Sequence, residues 1–158
     1  MKIGKCMSKD VKVIDPGESI RAAARLMARI DAGSLPVGEG DRLVGMITDR
    51  DIAVRAVGEG KGPDTPVREV MTHELKYCFE DQDTEEVIRN MGQLKVRRLP
   101  VLSRDKRLVG IVALGDLAAH GDENDAVGEA LGDISKPGGL HSQTGARRTR
   151  ETEEASPV

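Results

Sequence analysis

The sequence predicts a mixed α/β (α+β) fold: two β-α-β-β-α repeats packed face to face. Three observations predict it. Leu35-Pro36-Val37 returns as Leu99-Pro100-Val101, and Arg42-Leu43-Val44-Gly45 returns as Arg107-Leu108-Val109-Gly110. Each copy then places an aspartate six positions past its glycine, at Asp51 and Asp116. The spacing is 64 residues from Met7 to Met71 and from Pro36 to Pro100, and 65 from Gly45 to Gly110, after one residue inserted in the second hairpin turn. A unit of this length is too long for a stacking solenoid repeat and suits two small domains packed face to face. Seams of that kind are where small-molecule sites form.

The elements follow in order. Lys12 to Ile14 reads as a short strand, Pro16-Gly17 as a turn, and Ser19 as the cap of a helix. Ile20, Ala23, Ala24, Met27, Ala28 and Ile30 form its apolar stripe at helical spacing, and Gly33 ends it. Ser34 to Val37 and Leu43 to Thr48 form a hairpin across Gly38-Glu39-Gly40-Asp41, and Asp49 to Val57 is a second helix. The glycine-rich run Gly58 to Pro63 contains Gly-Lys but lacks the rest of a phosphate-loop pattern, so it reads as linker. Val67 to Met71 is a helical turn entering the second copy, where Tyr77 to Phe79 is the first strand. Asp83 caps a helix through Gln93, and Arg97 to Leu102 and Leu108 to Ala113 form the second hairpin. A helix follows from Leu114 or Gly115 to Ala119, and Asp122 to Leu131 suggests one more. The expected division is a first repeat over 1–60, a linker over 61–66, a second repeat over 67–121, a helical extension over 122–135 and a tail over 136–158. That tail is nearly devoid of apolar residues and is expected to be disordered.

Composition narrows the function classes. The chain has 158 residues, 38% of them hydrophobic, but its aromatics are only Tyr77 and Phe79. The core must therefore come from Ile, Leu, Val, Met and Ala. Two aromatics give no stacking platform for single-stranded nucleic acid, and a net charge of −3 gives no electrostatic footprint for nucleic acid or an acidic membrane. No stretch approaches the roughly 18 apolar residues of a membrane span, so a soluble cytoplasmic protein is the expectation. Cys6 and Cys78 are isolated and read as small buried residues of a reduced compartment. His73, His120 and His141 are scattered, so no metal site is legible.

The sharpest constellation is Gly45-Met46-Ile47-Thr48-Asp49-Arg50-Asp51. A strand runs into a helix with Thr48 at the junction and Asp51 one turn later, on the same face. Free backbone N–H groups and the positive helix end lie beside them. One reading is a nucleotide cradle, with hydroxyl and amides on phosphate oxygens and the carboxylate on ribose hydroxyls. The other is an ordinary helix cap, for which Thr and Asp are common choices. Recurrence of the pattern in the second copy raises the weight of the first.

With both strand motifs and both helix openings, Thr48-Asp49-Arg50-Asp51-Ile52 and Leu114-Gly115-Asp116-Leu117, the chain resembles a tandem CBS-domain pair, or Bateman module. It is similar to the short stand-alone bacterial members, the hypoxic-response type among them. The resemblance runs from about Ile3 to Ala119. It implies a pseudo-twofold pair, commonly doubled into a disc-like homodimer, with clefts for adenosine-containing ligands such as AMP, ADP, ATP, NAD or S-adenosylmethionine. The family's Gly-x-x-Thr/Ser-x-x-Asp pattern falls on Gly45, Thr48 and Asp51. It implies that Thr48 meets phosphate, Asp51 the ribose and Arg50 adds charge, while Ala23 and the strand at Ile14 form the adenine slot. In the second copy the pattern falls on Gly110, Ala113 and Asp116. The hydroxyl is missing there, which costs on the order of 1.5–3 kcal/mol for a bond to a charged group and weakens that site about tenfold or more. Arg97 and Arg98 are placed to compensate, or are solvated strand-edge residues; their first-copy counterparts are Gly33 and Ser34.

The leading expectation is a regulatory sensor that binds an adenine nucleotide between its repeats as a homodimer. It would signal by ligand-dependent packing to an effector protein the sequence does not name. The alternative is a non-catalytic dimerisation scaffold with degenerate clefts. No nucleophile–base pair or metal cluster suggests an enzyme. Ala53, Val54 and Val57 could serve dimerisation or lie in the core.

Overall fold

The computed structural model describes residues 1–120 and 124–136. Helix α1 (Ile20–Ile30) begins at Ser19, whose hydroxyl accepts the Ala22 N–H at 3.1 Å. It buries Ile20, Ala23 and Met27. It ends at Asp31, which takes the left-handed conformation at φ 54°, two residues before the expected Gly33. Strands β1 (Ser34–Glu39) and β2 (Arg42–Thr48) pair antiparallel, with a bulge at Val37/Gly38. The strand expected at Lys12 to Ile14 contributes one parallel bridge, Ile14 to Val37. The sheet of the first repeat therefore has two full strands. Helix α2 (Asp49–Asp51) continues as a wider π turn over Ile52–Ala56 and a tight turn over Val57–Glu59.

The second repeat runs β3 (Cys78–Phe79), α3 (Thr84–Leu94), β4 (Arg98–Leu102), β5 (Leu108–Ala113) and α4 (Leu114–His120). Its sheet has the order β3-β4-β5, with β3 parallel and β5 antiparallel to β4. Asp83 holds the N-cap position of α3 without a side-chain cap bond, a correction to the capping role expected of it. Lys95 ends α3 at φ 56°, as Asp31 ends α1. Helix α5 (Asn124–Ile134) lies on α3, where Gly92 meets Ala130 closely and Val127 and Ala130 enter the core. The start expected at Asp122 and the tail beyond Lys136 lie outside the described residues.

The opening turns of the two repeats are exchanged. The turn Ile3–Lys5 buries Ile3 and Cys6 in one core with Val87, Ile88, Met91 and Leu99 of the second repeat. The turn Val67–Glu69, expected simply to open the second repeat, buries Val67, Val70 and Met71 with Ala23, Leu35 and Ile47 of the first. Backbone bonds fix both exchanges. Ser8 and Ile111 bond reciprocally at 2.8 and 2.9 Å, and Thr72 and Met46 at 2.8 and 3.1 Å.

This crossing explains both motif glycines. A Cβ on Gly45 would stand 2.7 Å from Met71 Sδ and 2.9 Å from the Thr72 carbonyl oxygen; one on Gly110 would stand 2.5 Å from Met7 Sδ and 2.9 Å from the Ser8 carbonyl oxygen. The backbone oxygen cannot yield without opening the exchanged bridge. Gly45→Ala and Gly110→Ala are each expected to cost about 1–3 kcal/mol in urea unfolding, the range for overpacking. Gly115→Ala, where nothing lies within 4 Å, is expected to be neutral or stabilising by up to about 1 kcal/mol through helix propensity.

Candidate ligand-binding site

At the end of β2, Thr48 and Asp51 form a reciprocal capping box. The Thr48 hydroxyl accepts the Asp51 N–H and Asp51 Oδ2 accepts the Thr48 N–H, both at 3.0 Å. This is the helix-cap reading of the pair, with the hydroxyl and carboxylate held together at the helix start. Asp51 Oδ1 is 3.9 Å from Arg55, and its side chain is only 15% exposed. Arg55 also donates to the Met71 carbonyl at 3.3 Å, which ties the exchanged turn to the same corner. Arg50 is exposed.

The second copy keeps half of this arrangement. Asp116 Oδ2 accepts the Ala113 N–H at 3.1 Å, and Ala113 has no hydroxyl to return the bond. Asp116 and Ala113 line a cavity of about 350 Å³ at the seam between the repeats, within the usual size of small-molecule sites. Arg98 joins them from β4, where it pairs across the hairpin with Ala113. The opposite wall comes from the exchanged N-terminal segment, with Asp10, Val11 and Lys12, and from the α1–β1 connection, with Asp31, Ala32 and Ser34. Lys12 pairs with Asp10 at 3.1 Å. The Arg98 side chain makes no hydrogen bond or ion pair among the described residues. The cavity thus offers a carboxylate fixed by a backbone N–H, an uncommitted guanidinium and an ammonium already paired with Asp10, with Asp31 as a third carboxylate on the wall. That set suits a ligand carrying vicinal hydroxyls and a phosphate.

The expected site residues separate into those brought together and those that are not. Arg98 and Asp116 share the cavity, and Thr48 and Asp51 share the capping box. Arg97 is exposed and does not line the cavity; its carbonyl accepts the Leu114 N–H at 2.8 Å. Ala23 is fully buried and Ile14 nearly so, both in the core of the first repeat. Val67 and Val70 of the exchanged turn belong to the same core. Lys12 and the 30–34 segment were missed as cavity walls. A signal existed, since Lys12 recurs as Lys76 at the 64-residue spacing.

Other reactive groups lie apart from the cavity. Burial pushes the Cys78 thiol up to about 12, so it is a packing residue with little thiolate. Among the described residues no group of three or more His, Cys, Asp or Glu side chains could hold a metal ion. No helix among them is long and apolar enough to cross a membrane.

Comparison with known proteins places this geometry. The family model described as "CBS domain" matches twice, over residues 3–58 and 67–123. The CBS domain-containing protein YhcV of Bacillus subtilis is 43% identical over 129 residues, spanning 82% of this chain and 91% of YhcV. The crystal structure of Hypoxic Response Protein I with two coordinated zinc ions superposes with a TM-score of 0.70 at 36% identity, over 77% of this chain and 99% of that one. The CBS domain pair of protein MJ0100, solved in complex with 5-methylthioadenosine and S-adenosyl-L-methionine, superposes with a TM-score of 0.67 at 28% identity, over 75% and 94%.

Proposed function

This chain belongs to the CBS-domain family as a tandem pair, and from that premise we propose that it is a regulatory module binding an adenosine-containing ligand between its repeats. The observation that carries the reading is the seam cavity, in which Asp116 and Arg98 stand together with Lys12. In this reading the carboxylate takes the ribose hydroxyls and the two cations take the phosphate. Arg98 stands where the first repeat has Ser34, so its charge offsets the hydroxyl absent at Ala113. The Thr48/Asp51 corner is the pseudo-twofold counterpart and the second candidate position. The likeness to a pair solved with S-adenosyl-L-methionine and 5-methylthioadenosine supports the ligand class. The ligand touches both halves, so it shifts their relative packing, which is the signal an effector protein reads.

The test is a thermal-shift titration with AMP, ADP, ATP, NAD and S-adenosylmethionine. A ligand bound only by the native state adds about 2.7 kcal/mol at a hundredfold excess over its dissociation constant. A concentration-dependent rise in melting temperature is the expected result with at least one of them. No rise with any of them favours the second reading, a dimerisation scaffold. The closed Thr48/Asp51 box, with each side chain already partnered, is the observation on that side.

We further propose that the module acts as a homodimer in the cytoplasm. Val54 and Val57 are 50% and 68% exposed, so these two are surface rather than core. Val57→Glu is expected to convert the dimer to monomer in sedimentation velocity while leaving the melting temperature of the monomer unchanged. A wild-type chain that sediments as a monomer at all concentrations overturns this part.

A further inference from the structure

A cavity of about 470 Å³ opens between the tips of the two hairpins, apart from the seam cavity. Arg42, Lys106 and Arg107 bring three cations to it, Asp105 one carboxylate, and Leu75 and Tyr77 an apolar wall. Arg42 and Arg107 are the same position of the repeated Arg-Leu-Val-Gly motif. Both line this one cavity, so it straddles the two repeats, and neither Asp51 nor Asp116 lines it. Three facts distinguish this corner from a solvated surface.

First, two of its charges are uncommitted. Arg107 is paired with Asp41 of the other hairpin, and Asp105 accepts the Ser103 hydroxyl at 2.6 Å. Arg42 and Lys106 have no side-chain hydrogen bond or ion pair among the described residues, in a chain whose net charge is −3. Second, the repeat symmetry breaks here. The second hairpin turn carries the inserted residue, with Lys106 held at φ 63°, and Tyr77 stands where the first copy has Val13. The chain has a single tyrosine, and it lines this cavity. Third, the cavity spans the joint between the halves, since the Leu108 N–H donates to the Asp41 carbonyl at 2.7 Å beside the Asp41–Arg107 pair.

Two free cations call for an anion, and guanidinium and ammonium groups both suit phosphate. Tyr77, whose ring meets Phe79 edge-to-face with centroids 5.5 Å apart, and Leu75 line the cavity beside them and suit a planar apolar group. We propose that this cavity is a second ligand site, distinct from the clefts, for a phosphorylated small molecule carrying a planar apolar ring. A ligand held there touches both hairpin tips and so bears on the packing of the two repeats.

Tyr77 supplies the test. Incorporation of 3-fluorotyrosine gives a single 19F resonance, which reports from this cavity alone. Phenyl phosphate is expected to shift it saturably, and inorganic phosphate to bind at least tenfold more weakly. Arg42→Gln combined with Lys106→Gln, two exposed positions, is expected to weaken phenyl phosphate at least tenfold. Asp51→Asn combined with Asp116→Asn is expected to leave it unchanged, which separates this site from the clefts. A resonance that does not move, or moves equally in the Arg42/Lys106 variant, overturns the proposal. Loss of the shift in the Asp51/Asp116 variant also overturns it, and equal affinity for inorganic phosphate removes the ring from the ligand class.

Discussion

Ile3→Ala is expected to lower the unfolding free energy by about 2–5 kcal/mol, the range for truncating a fully buried Ile. Here Ile3 is fully buried in the core of the second repeat, among Val87, Ile88 and Met91. Backbone bonds from Ile3 to Gln82 at 3.0 Å and from Gly4 to Glu80 at 2.9 Å hold it in place. Its counterpart 64 residues on, Val67, is fully buried in the core of the first repeat. Truncation at either position removes packing from the opposite half. The expected result in urea is a single transition moved to lower denaturant in both variants, because neither half keeps a complete core without the other's turn. Two resolved transitions, with only one of them displaced, would show that the halves unfold independently. Domains of this kind hold only about 5–15 kcal/mol in all, so the loss at Ile3 is a large fraction of the total.

The exchange marks the boundary between what the sequence makes legible and what it does not. Periodicity and repetition are local signals, and they locate α1, both hairpins and the helix openings to within a few residues. Ser19, Thr48 and the turn at Gly40-Asp41 are chemical punctuation of the same local kind. The strand at Lys12 to Ile14 shrinks to one bridge at Ile14, and Val11 and Lys12 line the seam cavity. The stop of α1 falls at Asp31 because an aspartate tolerates the left-handed conformation that a helix end requires. Placement of Val67 to Met71 against the first repeat is a long-range matter. Nothing in the order of residues distinguishes a turn packed on its own repeat from one packed on the other. The glycines at 45 and 110 carried that information, since a motif glycine inside a strand marks a close backbone approach, but only the structure names Thr72 and Ser8 as what approaches. For the clefts, the repeat marked Asp51 and Asp116 and the resemblance pointed to Arg98, which lines the seam cavity with Asp116. Ala23 and Ile14, taken from the resemblance rather than from packing, lie in the core.

The roles assigned within the seam cavity separate by chemistry, and two substitutions distinguish them. Arg98→Ala removes a charge facing phosphate, so its effect should scale with the phosphate content of the ligand. It is expected to weaken AMP and ATP by about ten- to a hundredfold, the equivalent of about 1.5–3 kcal/mol for a charge-assisted bond, and to leave methylthioadenosine, which has no phosphate, nearly untouched. Asp116→Ala removes the proposed partner of the ribose hydroxyls that all these ligands share, so it should weaken methylthioadenosine and AMP by similar factors. Its structural cost is modest, because Asp116 Oδ2 satisfies one backbone N–H, that of Ala113, and loss of a cap costs about 0.5–2 kcal/mol. Isothermal titration of both variants with both ligands gives four ratios against the unsubstituted protein. The assignment requires one pattern: a large AMP loss and a small methylthioadenosine loss for Arg98→Ala, and two large losses for Asp116→Ala. Equal losses for both ligands in Arg98→Ala would mean that the guanidinium holds the cavity open rather than meeting phosphate. Unchanged affinities in Asp116→Ala would move the ribose to the Thr48/Asp51 corner, where Asp51→Asn is then the variant that should lose binding.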